Sequence, residues 1–326
     1  MTRIAVVGTG HLGSIHARLW AQQDAVELAA IVDPDEAKGR AVASEHGAAW
    51  YPSLEAMPNV DAVTIAAPTT LHYRLATACI DRGMHCFIEK PVTATYAEAT
   101  ALMQYASAHN CVIQVGHVER FNPAIHAVAS MDVQPVFIEA HRLAPFKPRA
   151  IDVSVVHDLM IHDIDLLLWL TRSSVVKVEA TGVAVLTQTP DICNARLTFA
   201  NGCVANITAS RISAKPMRKL RFFQRDSYMS LDLGAPSVEL YRLIEGSAFE
   251  QSHQVPLGTI STAHGDRVIV YDTPEVPTRN AIAEEQRAFL ASITTGAGAA
   301  VTLQDGAEAV RIAELIEHTA ASTSIA

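Results

Sequence analysis

The first 118 residues alternate short runs of Val, Ile and Ala with segments of helical spacing, and no other feature of the chain restricts its fold as strongly. IAVVG (4–8), LAAIV (28–32), AVTIAA (62–67), HCFIE (85–89) and CVIQV (111–115) are apolar nearly throughout, the pattern of strands covered on both faces of a parallel sheet. Between them lie HLGSIHARLWAQ, DEAKGRAVASEH, TLHYRLATACIDRG and ATYAEATALMQYASAHN, with helical periodicity and a stop signal at Gly83. Strand–helix–strand order predicts a doubly wound parallel sheet with right-handed crossovers over residues 1–118. After Pro123 the rhythm changes to a helix (124–130), a strand (135–143), a helix around HDLMIHDID (157–165), and strands from Val175 to about Asp272. Asn201-Gly202 between two apolar runs predicts a hairpin with positive φ at both positions. With two closing helices (279–295 and 304–320), residues 119–326 are expected to form an α/β domain on a largely antiparallel open sheet, serving substrate binding and oligomerisation.

GTGHLG (8–13) directly follows the first strand and opens the first helix. Gly8 allows a tight turn, Gly10 a close backbone approach to a pyrophosphate, and Gly13 close helix–strand packing; His11 and Leu12 lie in the same turn. Asp33 ends the second strand twenty residues after Gly13, where a carboxylate accepts hydrogen bonds from ribose hydroxyls and repels a 2′-phosphate. The expectation is a Rossmann domain binding NAD rather than NADP. AAPTTLH (66–72) and EKP (89–91) occupy the carboxyl edge of later strands, where open α/β sheets bind ligands. Ala67, Pro68, Thr69, His72, Glu89 and Lys90 are therefore cofactor-side candidates. A second reading has Pro68 stopping the strand and Thr69 or Thr70 capping the next helix.

Composition excludes several classes. No window is apolar over the length of a membrane span, and MTRIAVVGTG enters a strand without a leader, so a cytoplasmic protein with no membrane partner is expected. The five cysteines are scattered without CxxC spacing, arguing against disulfides or zinc. A net charge of −9 argues against nucleic-acid binding.

GTGHLG, EKP (89–91), RFNP (120–123) and Asp158-x-x-x-His162 together resemble, in order and spacing, the glucose-fructose oxidoreductase, inositol dehydrogenase and MocA family of sugar oxidoreductases. The likeness spans the chain. It implies a Rossmann domain, a C-terminal α/β domain whose open sheet makes a homodimer or homotetramer, and Lys90, Asp158 and His162 as catalytic residues, with Arg120 among the substrate contacts. The glycine-rich run usual before the Asp is replaced by DVSVV (152–156), so substrate contacts from that loop do not transfer. VGHVERFNPAI, RLAPFKPR, VVHDLMIHDIDLLLWL and ASRISAKPMRKLRFF are further similar to a subgroup, the bacterial UDP-N-acetylglucosamine 3-dehydrogenases, which implies a nucleotide-sugar substrate and a downstream glutamate-dependent transaminase making a 2,3-diamino sugar for lipid A.

The residues of 157–165 carry their own reading. At about 100° per residue, Asp158, His162, Asp165 and Trp169 form one stripe, whereas His157 and Asp163 point elsewhere, as solvated or supporting groups. Asp158 can orient the His162 imidazole, a general base for alcohol oxidation, while Lys90 stabilises charge on the reacting oxygen. A metal site of Asp158, His162 and Asp165, or a well hydrogen-bonded domain interface, are alternative readings of this face; no metal is expected. RISAKPMRKLR (211–221) and HRLAPFKPR (141–149) are basic stretches in an acidic chain. Arg142, Lys147, Arg149, Arg211, Lys215 and Arg218 are thus candidates for a substrate diphosphate, against a bland role as solvated strand faces. Competing functions are oxidation of a free sugar or polyol such as inositol, and a non-catalytic NAD(H)-responsive binding protein.

Overall fold

The computed structural model describes residues 1–129, 131, 133–147, 153–245, 255–263 and 265–323. Two compact units result, Met1–Val118 with Asn280–Glu314, and Glu119–Arg279 with Leu315–Ala326.

In the first unit, strands β1 (Thr2–Val7), β2 (Val26–Val32), β3 (Ala49–Tyr51), β4 (Ala62–Ile65), β5 (His85–Glu89) and β6 (Ile113–Gly116) form one sheet in the order β3-β2-β1-β4-β5-β6. All neighbours are parallel. Helices α1 (His11–Ala21), α2 (Glu36–His46), α3 (His72–Asp81) and α4 (Tyr96–Ser107) are the crossovers. β3 was not foreseen, since three half-exposed residues carry no periodicity. The expected assignment of all of 119–326 to the second domain also needs correction. Residues 280–314, carrying α7 (Ala281–Thr295) and the start of α8 (Leu303–Thr323), return to the first unit because their apolar face completes its core. Phe289 is fully buried, its ring centroid 5.7 Å from Phe87 and 6.5 Å from Trp20, and Gly306 packs on Val115 where a Cβ would come within 2.8 Å.

The second unit holds α5 (Pro123–Val128), β7 (Phe137–Leu143), a π-turn (Val156–Met160) running into α6 (Ile161–Thr171), and strands β8 (Val175–Val183), β9 (Ile192–Phe199), β10 (Val204–Ser210), β11 (Met217–Phe223), β12 (Ser227–Asp232), β13 (Ser237–Glu245), β14 (Val255–Thr262) and β15 (Gly265–Asp272). They form one sheet in the order β14-β15-β13-β12-β11-β7-β10-β9-β8, antiparallel except where β7 meets β10. In the β9–β10 hairpin only Gly202 has positive φ (+87°). The strands end at Phe199 and begin again at Val204, and this longer loop needs one left-handed residue rather than the two of a two-residue turn.

One face of this sheet is closed by apolar side chains such as Ile138, Ala140, Leu220, Phe222 and Leu231. The opposite face carries half-exposed rings, Phe137, Phe223, Tyr228, Tyr241 and Tyr271, cross-strand neighbours with centroids 4.8–5.6 Å apart. Buried ion pairs fix the connections. Arg142 donates to both oxygens of Asp163 (2.9 Å each) and to Glu119 (2.7 Å), and Arg120 grips both oxygens of Asp165 (2.8 and 2.6 Å). Burial pushes Asp163 up, while Arg142 holds Glu119 below its ordinary range in spite of its own burial. Asp191, fully buried, accepts from the N–H groups of Val185, Leu186 and Thr187 and from Arg211. Burial alone would raise its pKa, but these donors overturn that and hold it far below the carboxylate range.

The Arg211–Asp191 pair yields a signed expectation. Arg211→Ala leaves Asp191 buried without its guanidinium and should destabilise the second unit by about 3–5 kcal/mol at pH 7, read from the urea midpoint. Because the folded pKa of Asp191 is depressed, its contribution is complete above the unfolded value of about 3.9 and is lost as pH falls from there toward the folded value. The gap between variant and wild type should therefore narrow below about pH 4.

Candidate active site

The turn after β1 has the shape its glycines require. Gly8 has φ +93°, and a Cβ there would lie 2.7 Å from the Ala66 carbonyl oxygen; one on Gly13 would lie 1.9 Å from that of Gly8. A Cβ on Gly10 would meet nothing within 4 Å, so the turn presents bare backbone to open space. Gly10 is the N-cap of α1 and supplies no side-chain cap, which leaves the first-turn amides, including those of His11 and Leu12, facing outward for an anion.

Asp33 is fixed beside this turn. Its Oδ2 accepts from the Thr9 N–H (2.7 Å) and hydroxyl (2.6 Å), and its Oδ1 from the Asp35 N–H (2.8 Å). Thr9, Gly10, His11, Ser14, Asp33 and Lys38 are among the residues lining a cavity of about 580 Å³. Thr9 escaped the sequence reading, because it occupies a variable position of G-x-G and only its bond to Asp33 reveals a role. The open turn, uncapped helix end and oriented carboxylate fit a dinucleotide: Gly8, Gly10 and Gly13 would admit the pyrophosphate to the α1 amides, and Asp33 would hold the adenosine ribose.

At the carboxyl edge of β4 and β5 the expectations divide. Ala67 and Thr69 are half exposed and Pro68 exposed. Thr69–Leu71 form a 3-10 turn, and α3 has no side-chain cap, contrary to the capping alternative. His72 is not a nicotinamide contact. It is 1% exposed, and its ring nitrogens lie 2.8 Å from the Ala67 carbonyl and 2.9 Å from that of Pro91, so it ties two strand-end loops together. Glu89 is likewise turned inward, with Oε1 on His16 Nε2 (2.7 Å) and Oε2 accepting the Lys90 N–H (3.1 Å). This corrects its expected place as a cofactor contact. Lys90 is half-buried and precedes a cis peptide to Pro91.

In the second unit, Asp158 and His162 are half-exposed at the start of the helix, whereas Asp163 and Asp165 are buried on arginines. The stripe from Asp158 to Trp169 does not survive as one face. Residues 156–160 form a π-turn, whose wider winding breaks the 100° rule, and such turns recur at functional sites. Asp165 is fully buried on Arg120, so its charge is met by a guanidinium and the Asp158–His162–Asp165 metal reading loses its third donor. His157 and Asp163 are not solvated. His157 Nδ1 lies 2.9 Å from Glu317, and Asp163 is 3% exposed.

The basic stretches also separate. Arg142 (3% exposed) and Arg211 (4%) cannot serve as diphosphate contacts, and Arg120, expected among the substrate contacts, is turned onto Asp165. Their guanidiniums are spent inside the unit; Arg211 alone donates to Asp191, the Val153 carbonyl, Thr187 and Thr189. Their carboxylate partners lie 20 to 45 residues away in sequence, out of reach of local pattern reading. Lys147, Lys215 and Arg218 remain exposed, Arg218 with a nitrogen 3.7 Å from Glu119. Arg149 lies outside the described residues. Burial pushes the Cys193 thiol up to about 12 and that of Cys203 up to about 11, as for inert packing groups. No described helix is long and apolar enough to cross a membrane.

Comparison with known proteins agrees with this geometry. Residues 2–117 match the oxidoreductase family with an NAD-binding Rossmann fold, and residues 134–225 match the GFO/IDH/MocA C-terminal domain. The chain is 41% identical over 241 residues to a UDP-N-acetylglucosamine 3-dehydrogenase of Acidithiobacillus ferrooxidans, covering 73% of this chain and 76% of that one. A solved structure of a UDP-N-acetylglucosamine 3-dehydrogenase from the same organism superposes with a TM-score of 0.88 at 35% identity, covering 98% of both chains. An inositol 2-dehydrogenase of Saccharopolyspora erythraea is 33% identical over 193 residues, 54% of this chain and 56% of that one. With a glycine turn and Asp33 formed as a dinucleotide requires, and both domains matched in order, the chain belongs to the GFO/IDH/MocA family and is an NAD-dependent oxidoreductase acting on CH–OH groups.

Proposed function

We propose that the protein oxidises UDP-N-acetylglucosamine at its C3 hydroxyl to the 3-keto sugar nucleotide. The observation that carries this reading is the 41% identity to a UDP-N-acetylglucosamine 3-dehydrogenase, extended along 98% of the chain by the structural match. NAD, when bound, supplies the hydride acceptor. His162 takes the hydroxyl proton as the general base. Asp158 orients the ring and offsets its charge once protonated. Lys90 donates to the reacting oxygen as negative charge develops there. Lys147, Lys215 and Arg218, the exposed remainder of the basic stretches together with Lys219, supply charge for the diphosphate. The 3-ketone carries a carbonyl that a glutamate-dependent transaminase converts to an amine, so the protein's place is before such an enzyme in diamino-sugar and lipid A synthesis.

The aromatic stripe across β7, β11, β12, β13 and β15 supports assembly as a homodimer or homotetramer through that sheet face, because half-exposed rings in a row are a poor water interface. Light scattering at micromolar concentration should give twice or four times the 35.1 kDa chain mass, and a monomer counts against this assembly.

His162→Asn should lower kcat by a factor on the order of 10² to 10⁴ while NADH affinity and Tm stay near wild type. Turnover near that of wild type would return His162 to a structural role. The substrate itself is tested by NADH formation from UDP-N-acetylglucosamine, with and without a transaminase and glutamate to remove the ketone. Turnover should rise with the trap, and Lys147→Ala, Lys215→Ala and Arg218→Ala together should raise KM for the sugar nucleotide without changing NAD affinity. If inositol or a free sugar yields NADH and the sugar nucleotide does not, oxidation of a free polyol replaces this reading.

A further inference from the structure

Behind Lys90 lies a buried polar chain that neither the cofactor site nor the proton transfer uses. His16, on the inner side of α1, is fully buried, its ring 5.1 Å from that of Phe87. Its Nε2 lies 2.7 Å from Glu89 Oε1, and its Nδ1 lies 3.0 Å from Gln286 Nε2 on α7. The same Gln286 nitrogen donates to the His16 backbone carbonyl (3.2 Å), and Gln286 Oε1 accepts from Gln23 (3.0 Å).

These contacts determine the protonation of His16. A backbone carbonyl only accepts, so the Gln286 atom facing it is the amide nitrogen. That nitrogen also faces His16 Nδ1, which must then be an acceptor. The proton of the imidazole is thereby on Nε2, directed at Glu89. Glu89 thus meets the His16 Nε2–H on one oxygen and the Lys90 backbone N–H on the other.

We propose that His16, locked by Gln286 as the Nε2–H tautomer, is a positioning residue for catalysis: it aims the Glu89 carboxylate so that it caps the Lys90 N–H and lays its charge beside Lys90. This rests on the reading of Lys90 as catalytic. His16 touches neither substrate nor cofactor in this role. It acts through Glu89 on the strand end from which Lys90 projects, where small displacements are costly for an oriented donor.

The test compares His16→Gln, whose amide nitrogen reaches the position of Nε2, with His16→Asn, which is too short, using Lys90→Met as reference. His16→Asn should lose about ten-fold or more in kcat with UDP-N-acetylglucosamine at little change in KM, and His16→Gln should stay within about three-fold of wild type. NADH affinity should be unchanged in both. Amide exchange at Lys90 should accelerate in His16→Asn and not in His16→Gln, and ¹⁵N-histidine NMR of wild type should show His16 as a neutral Nε2–H tautomer at pH 7; neither readout depends on substrate. Equal kcat in both variants while Lys90→Met is impaired overturns the inference and leaves the catalytic reading of Lys90 standing. Equal losses of kcat and Tm in both variants assign His16 a structural role only, and an imidazolium or Nδ1–H tautomer overturns the lock. Wild-type turnover in Lys90→Met removes the catalytic reading of Lys90, and the inference with it.

Discussion

The second unit depends on a helix that must do opposite things within one turn. Its first residues keep Asp158 and His162 half exposed, while Asp163 and Asp165, one and three residues later, are buried. Two buried carboxyl groups are tolerable there only because Arg142 and Arg120 each supply a two-pronged guanidinium, at 2.6–2.9 Å, from elements that the chain reaches much earlier. The pairs are a constraint on geometry more than a source of stability. They fix the rotation of α6, and hence the direction in which His162 leaves it.

Arg142 shows how such a constraint spreads. It sits on β7, an interior strand of the nine-stranded sheet, and also binds Glu119, which in turn accepts from Asn122 at the start of α5. One side chain therefore sets β7, α6 and the entry of the chain into the second unit. A parallel design appears in the first unit. Thr9 fixes Asp33, His72 ties the loops after β4 and β5, and the His16–Glu89 pair fixes the last residue before Lys90. In both units, buried polar groups hold the elements from which the proposed functional residues project.

The helix face explains both what sequence reading gained and what it lost. Asp158 and His162 were paired on a local spacing of four. The π-turn at 156–160 takes Asp158 off the ideal period on which the stripe was drawn, while Asp165, in the regular helix with His162 and Trp169, is buried on Arg120. The arginines were misassigned for a related reason. A sequence displays a cationic run, but whether Arg142 and Arg211 meet solvent depends on which carboxylates the fold brings to them, and Asp163 and Asp191 are separated from them by 21 and 20 residues. His72 and Glu89 looked available because a strand's carboxyl edge is where ligands bind, yet each turned inward to a partner on another segment.

By itself, the sequence determined the parallel sheet, the glycine turn, the Asp33 position and the antiparallel character of the second sheet. Each follows from periodicity or from a backbone conformation that few residue types can adopt, and such signals are complete within a dozen residues. Tertiary structure decided the return of residues 280–314 to the first core, the burial of Arg120, Arg142 and Arg211, and the tautomer of His16. Those depend on long-range pairing: a side chain's charge, exposure and proton are set by the groups that desolvate it, and those groups are named only when the chain has folded.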